Sequence, residues 1–415
     1  MKKMMLLSFV VSSVVMAGGY KIPEQSTNAV ALGAANIAHN QNNADAAYYN
    51  PAKMIFMSDA NHIEADLNYI HINKEDYEPT TGSTLRSQNE NFYVPTLHYV
   101  SPKLGSNSAR IGVSITAPGG LSRKWNQEPA KTSAQEFTLE IIEVNPTAAF
   151  KINDKLGFGI GFRIVKSSGV IKSDGTLGTP APTTTASRDM TGDSIDFGYN
   201  LALEYKPTSN LEIGLTYRSK VNLTVDGNAN LATNFTLVPP STYNGPSGIT
   251  VPLPASLDIA VAYTFPTKTT LEAVYERTYW SAYKQLDFTY PVTLSNPVLK
   301  GAFDDAKPKN WKDTNTFRFG LTQELDPFTL MAGFVIDKTP VPEKTLGFEL
   351  PDTDSVAVSV GGRYKINDTI DLGLSALYSM HDNRTVSSSV NSSGIDGQFS
   401  EGDILIISAG LGYKF

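Results

Sequence analysis

The sequence predicts an all-β protein, a transmembrane antiparallel barrel of about fourteen strands whose lumen is plugged by an N-terminal helical and irregular hatch. Three observations carry that prediction. The last eleven residues alternate with a period of two, six short turns of one recurring plan are separated by long polar connections, and an alanine-rich segment without alternation precedes the first strand. At the C-terminus Leu405, Ile407, Ala409, Leu411, Tyr413 and Phe415 are apolar at every second position, with mostly small or polar residues between them. Such a strand meets different solvents on its two faces, and a chain that ends on an aromatic strand is typical of outer-membrane barrels. Alone, this segment fits a soluble β-sandwich equally well; the rest of the chain decides.

Residues 1–17 have the composition of a secretory signal peptide. Lys2-Lys3 is followed by an apolar run from Met4 to Val15 that is too short to span a bilayer, with Val15 and Ala17 at the −3 and −1 positions of a cut before Gly18. No later stretch is a long apolar helix and the mean hydropathy is −0.18. An exported chain of this composition is either soluble or a barrel, because only strands hide membrane residence from a hydropathy scan. There is no cysteine, so the fold must hold without disulfides. The net charge of −7 is spread along the chain with no basic run, which argues against nucleic acid as a partner. Nineteen Tyr and nineteen Phe beside three Trp suit the interfacial girdles of a barrel.

The segment 18–58 reads Gly-Gly-Tyr-Lys-Ile-Pro-Glu-Gln-Ser, then alanine-rich, then Asn40 to Asn43, then Ala44-Asp45-Ala46-Ala47-Tyr48-Tyr49-Asn50-Pro51-Ala52. It is expected to be a hatch in the lumen, with a disordered tail outside the barrel as the alternative, since a barrel of this size encloses more volume than wall side chains fill. Residues 59–415 form the barrel. Phe150-Lys-Ile-Asn-Asp and Tyr364-Lys-Ile-Asn-Asp are near copies, and Tyr205, Tyr263, Tyr99 and Leu321 open four more turns of the same plan. Six hairpins, one strand leading in (60–72) and one leading out (402–415) make fourteen strands, with both termini periplasmic. The long connections are expected near 73–91, 118–135, 167–192, 219–255, 281–310, 338–353 and 382–402. Parity turns Ile63, Leu67, Phe158, Ile160, Leu215 and Phe319 to lipid, and Arg110, Arg163, Arg218, Arg318, Arg363, Glu64 and Glu204 to the lumen.

Tyr49-Asn50-Pro51-Ala52, after its Asp45-Ala46-Ala47 lead-in, resembles the hatch signature of the FadL/TodX family of outer-membrane transporters for long-chain fatty acids and aromatic hydrocarbons. Further segments match in order: Tyr93-Val94-Pro95 with His98-Tyr99-Val100-Ser101-Pro102, Ser114-Ile115-Thr116 with Gly120-Leu121, Leu215-Thr216-Tyr217-Arg218-Ser219, Trp280-Ser281, Trp311-Lys312-Asp313, and Asp337-Lys338-Thr339-Pro340-Val341-Pro342. The likeness covers essentially the whole mature chain. It implies passive uptake of a hydrophobic molecule through an extracellular groove and an inner pocket. Release would follow movement of the hatch N-terminus, with sideways exit where the third strand kinks.

Asn50, Pro51 and Ala52 would be the hatch motif and Pro118, Gly119 and Gly120 the kink. A proline and two glycines weaken a ladder in any case, and the alternative is that they simply begin the second loop. Of the two basic positions that hold a carboxylate in fatty-acid members, one falls on Lys307. The other falls on Ser173, with Lys172 beside it, so an uncharged hydrocarbon stays open as the ligand. Arg163 and Arg318 are the remaining candidates for ligand contact, against a purely wall-stiffening role. The expected partners are therefore a long-chain fatty acid or another hydrophobic small molecule, and the lipid and lipopolysaccharide around a monomeric barrel. No cofactor or metal is expected, because the five histidines are scattered. No Gly-x-Ser-x-Gly motif suggests an enzyme. A general porin is the other alternative; it would lack the plug.

Overall fold

The computed structural model describes residues 18–105 and 108–415, so the signal-peptide reading of 1–17 lies outside the described residues. The wall strands are β1 (His62–Ile72), β2 (Glu90–Val100), β3 (Ala109–Thr116 and Gly120–Arg123), β4 (Glu136–Asn153), β5 (Leu156–Thr176), β6 (Thr185–Tyr205), β7 (Leu211–Arg218 and Val221–Thr233), β8 (Thr242–Leu253 and Ser256–Thr264), β9 (Thr269–Thr278), β10 (Thr314–Leu325), β11 (Phe328–Asp337), β12 (Ser355–Lys365), β13 (Ile370–His381) and β14 (Ile404–Lys414). Each pairs antiparallel with its sequence neighbour, and β1 closes the ring on β14 from His62↔Lys414 to Ile72↔Ile404. The sheet contains eighteen hydrogen-bonded segments; three strands are interrupted pairs and Phe288–Thr289 is a loop segment, so the barrel has fourteen strands. Closure leaves no edge to aggregate.

The six short connections join β2–β3, β4–β5, β6–β7, β8–β9, β10–β11 and β12–β13, all at one end of the barrel. The long loops at the other end differ from expectation in two places. Residues 167–192 and 219–255 are mostly strand, because β5 to β8 continue well past the level at which the other strands stop. Once their outward residues leave the lipid belt they become polar (Lys166, Ser168, Asp189, Thr191, Asp193), so the apolar alternation fades while the ladder runs on. A small second sheet of Glu75–Pro79, Leu85–Arg86, Arg384–Val386 and Gly397–Glu401 caps the same end.

Outward positions are apolar or aromatic along the belt: Leu67, Ile160, Phe162, Phe317, Phe319 and Val360 are all exposed. Inward arginines pair with inward carboxylates, as in Arg163–Glu143 at 2.8 Å and Arg363–Glu64 at 2.7 Å. Residues 18–57 lie inside the ring, nearly all buried. They form α1 (Thr27–Leu32), α2 (Ala46–Tyr49) and a 3-10 turn (Pro51–Phe56). Ser26 caps α1 by accepting from Ala29 N–H.

The wall makes room for this segment with inward glycines. A β-carbon on Gly159 would stand 2.5 Å from Ala52 N, and one on Gly333 2.3 Å from the Leu32 carbonyl carbon, so backbone meets backbone where only glycine fits.

Candidate functional site

Two connected spaces run down the barrel from the long-loop end, above a third that shares no lining residue with either. The outermost is a groove of about 2500 Å³ bounded by Arg188, Phe235, Phe288, Phe303, Lys307 and Phe348. It shares Phe137, Phe288, Lys309, Thr345, Gly347 and Glu349 with an inner cavity of about 810 Å³. That cavity is mostly apolar, walled by Leu121, Leu139, Ile171, Val225, Val251 and Trp311, with Tyr20 beneath. Both spaces sit against the raised strands β4 to β8, whose inward residues remain largely hydrophobic above the belt.

Charge is placed unevenly along this path. Lys309 and Glu349 form an ion pair where groove meets cavity. Burial tends to raise the Glu349 carboxyl, yet the Lys309 ammonium beside it wins and holds it below the usual range. Lys307 lies in the groove, donating to Gly301 O at 2.8 Å. Partial desolvation in the groove lowers its ammonium from the ordinary lysine range, Asp305 opposing this and the nearby Arg188 adding to it.

Arg188 is buried. Its guanidinium sits 4.8 Å from the Phe288 ring centre and 5.2 Å from that of Phe303, and its Nε has no hydrogen-bond partner among the described residues. No carboxylate of the described residues pairs with it within 4.0 Å, which is unusual for a buried cation. Its direct cross-strand partner is Ser173, whose buried hydroxyl is likewise unpaired.

The floor of the cavity is the N-terminal strand-like segment. Tyr20 packs edge-on against Trp280 (4.7 Å between ring centres), with Trp311 and Tyr283 around it, and donates its hydroxyl to Pro252 O. Below it lies a polar chamber of about 620 Å³ lined by Lys21, Tyr48, Arg163, Arg218, Asp258, Glu276 and Arg318. Lys21 pairs with Glu276 at 2.7 Å, and Arg318 donates to Gly33 O at 3.0 Å. Arg163 and Arg318 therefore face this chamber and not the apolar cavity. Lys172 points to the outer face, opposite Glu136 and 3.2 Å from it, and lines neither groove nor cavity. Of the four basic candidates from sequence, only Lys307 lies on the path. Arg188 was missed because its relation to Ser173 is a cross-strand register, invisible in linear spacing.

The wall is interrupted beside this floor. β2 and β3 pair over only four positions, from Leu97↔Ile115 to Val100↔Gly112, leaving Glu90 to Thr96 without a β3 partner among the described residues. Against β4, β3 carries one extra residue: Thr116↔Glu143 is followed by Gly120↔Glu140. The excess falls on Ala117-Pro118-Gly119, a bulge that bends the strand inward. The N-terminal segment takes up the freed backbone groups. Ile22 N donates to Pro118 O (3.0 Å), Gly120 N to Tyr20 O (2.9 Å), and the Gln25 carboxamide both accepts from Ala117 N (2.7 Å) and donates to Ala117 O (2.9 Å).

Asn50 lies deeper, wholly buried. Its Oδ1 accepts from Ala52 N (3.1 Å), and its Nδ2 donates to Ile37 O (3.0 Å) and Glu204 Oε2 (2.9 Å). Pro51 opens the 3-10 turn that this side chain caps.

The chain is 26% identical over 410 residues to the long-chain fatty acid transport protein of Escherichia coli K12, covering 89% of each, and 23% identical over 394 residues to a 47 kDa outer membrane protein of Pasteurella multocida, again 89% of each. Among solved structures it resembles a Pseudomonas aeruginosa FadL homologue with a TM-score of 0.82 at 19% identity, covering 96% of this chain and 100% of that one. It resembles the Pseudomonas putida toluene transporter TodX with a TM-score of 0.72 at 17% identity, covering 94% and 98%. The profile of the outer membrane protein transport family (OMPP1/FadL/TodX) matches residues 8–415, and with that match the chain belongs to this family of outer-membrane barrel transporters, which are channels and not enzymes.

Proposed function

We propose that the protein takes up long-chain fatty acids or similar amphiphiles across the outer membrane by passive diffusion. In this reading 1–17 is a signal peptide, 18–58 a hatch and 59–415 the barrel, a monomer in contact with lipid and lipopolysaccharide, with both termini periplasmic. The carrying observation is the mostly apolar inner cavity that opens into the groove above it, with Tyr20 as its floor. Each methylene buried there contributes about 0.8 kcal/mol, so a long alkyl tail supplies the affinity.

The head group is read in the groove by Arg188 and Lys307, whose cations lie close enough to influence one another. Movement of residues 20–25 frees the cavity floor and, in the same step, the backbone groups of Ala117, Pro118 and Gly120. The ligand leaves sideways through the β2–β3 gap at Pro118-Gly119-Gly120, at the level of the outward Tyr93, while Asn50-Pro51-Ala52 keeps the rest of the hatch seated.

The observation favouring an uncharged aromatic instead is that Lys309 and Glu349, the charged residues among the described lining of the inner cavity, are already paired. Dissociation constants of a long-chain fatty acid and of an uncharged aromatic, measured on the wild type and on Arg188→Leu, separate the two. A carboxylate ligand should lose roughly ten- to a hundredfold in affinity, the value of a charge-assisted hydrogen bond, while the hydrocarbon stays unchanged. Tight binding of the aromatic alone would replace the fatty-acid reading.

A further inference from the structure

We propose that three loop tips at the long-loop end, 178–183, 236–240 and 291–295, form one docking surface for an apolar liquid phase, the face of a hydrocarbon droplet that carries the ligand. This rests on the uptake reading above and adds where the ligand comes from: it passes from droplet to groove without first dissolving in water.

Two asparagines staple the tips together. The Asn234 carboxamide donates to Thr183 O (2.7 Å) and accepts from Thr185 N (2.9 Å). That of Asn296 donates to Phe235 O (3.0 Å) and Val238 O (2.7 Å) and accepts from Val298 N (3.0 Å). Beneath them Tyr243 packs edge-on against Tyr290, with 5.3 Å between ring centres, and Leu177, Phe235 and Tyr290 rest on the buried core. Two of the tips crown the raised strands, since the β5–β6 ladder climbs to Thr176↔Thr185 and the β7–β8 ladder to Ala232↔Thr242. From this fixed base Leu237 and Val292 stand out into solvent, 84% and 55% exposed, with Val238 beside them. The surface is continuous with the ligand path, because Thr179, Pro180, Phe235 and Pro297 also bound the groove.

The chemistry of the tips says what they meet. Charged residues make up 18% of the chain, yet no Asp, Glu, Lys, Arg or His falls in 175–187, 227–257 or 288–299. The other segments at this end do carry charge, among them Asp76, Arg86, Lys131, Lys344 and Asp396. An ion pressed against hydrocarbon loses its hydration at far greater cost than a neutral group does, so a surface that touches oil must be free of charge. Backbone donors are sparse as well: Pro180, Pro182, Pro239, Pro240 and Pro291 have no N–H to leave unsatisfied. The carboxamides of Asn234 and Asn296 are engaged within the staple. The aromatic and arginine anchors that protein interfaces favour are missing from all three tips, which argues against a protein partner. Single exposed apolar side chains are ordinary; a stapled, uncharged group of them at the rim of a ligand groove is not.

The test uses the full barrel in phospholipid vesicles. The chain has no cysteine, so a polarity-sensitive dye can be placed at one site at a time. Thr179→Cys, Thr236→Cys and Thr293→Cys report the tips, and Ser389→Cys reports another exposed loop of the same end. On adding a hexadecane emulsion, dye emission should move to shorter wavelength at all three tips and stay put at position 389. Leu237→Asp/Val238→Asp/Val292→Asp should weaken droplet affinity roughly tenfold or more. These positions are exposed, and heat-modifiable migration on gels shows that the variant is folded. The dye answers without any fatty acid present, so it reads docking even if the uptake reading fails. Capture of a fatty acid from the emulsion should slow by the same factor in the aspartate variant, with its dissociation constant for monomeric fatty acid unchanged. No shift at the tips, an equal shift at position 389, or an aspartate variant that docks and captures like the wild type would overturn the proposal.

Discussion

Replacing Asn50 with alanine should loosen the hatch without unfolding the barrel. The side chain makes four hydrogen bonds from a fully buried position, three of them to neutral backbone groups (Ala52 N–H, Ile37 C=O and, at 3.4 Å, Leu203 C=O) and one to the Glu204 carboxyl group. Alanine leaves all four partners in place and removes the bond to each. Each such bond contributes about 1 kcal/mol, the long one to Leu203 less, so the seated hatch should lose roughly 3–4 kcal/mol, a factor of about a hundred or more in its equilibrium. The barrel ladder is untouched, because none of the lost bonds joins two strands. Hydrogen exchange over residues 26–57 reads the hatch, and heat-modifiable migration reads the barrel. Unchanged protection of the hatch would refute the reasoning, and so would loss of barrel migration, which would make Asn50 a residue of the global fold.

Deleting residues 18–58 should turn a nearly closed protein into one with large, steady conductance in planar bilayers; equal conductance from both would mean that the segment does not obstruct ion flow. Lys307→Ala should weaken binding of a fatty acid several-fold and leave an uncharged hydrocarbon unaffected, a smaller effect than Arg188→Leu because Lys307 is exposed; equal losses for both ligands would make Lys307 a shaping residue. The capping sheet should loosen as pH rises. Burial pushes Glu75 up to about 8 even with Arg123 at 3.8 Å, whereas an unfolded glutamate titrates near about 4.3. The folded cap therefore holds the extra proton, and its stabilisation is complete below the unfolded value and lost as pH climbs toward about 8. Exchange rates over 75–79 and 397–401, corrected for intrinsic pH dependence, should show this trend, and Glu75→Gln should flatten it; a cap indifferent to pH, or a slope that survives the substitution, contradicts it.

The sequence by itself determined the barrel, its strand number and the face of each wall residue. These follow from local chemistry: lipid on one side of a strand enforces a period of two, and Asn-Asp, Pro and Ser at six places enforce tight turns. Phe158 and Ile160 point outward and Arg163 and Arg318 inward, as parity requires. Local chemistry failed at 167–192 and 219–255, where strands leave the belt and both faces meet polar surroundings in part, so that nothing periodic marks a ladder that non-local pairing still maintains. The path through the molecule was decided by tertiary structure alone. Arg188 becomes the neighbour of Ser173 through a register, Gln25 meets Ala117 across ninety-two positions, and Gly18 meets Asp337 only because a thread of glycines passes between two tryptophans. Such contacts are set by how the barrel closes around its N-terminal segment, and closure brings together residues that no spacing in the chain relates.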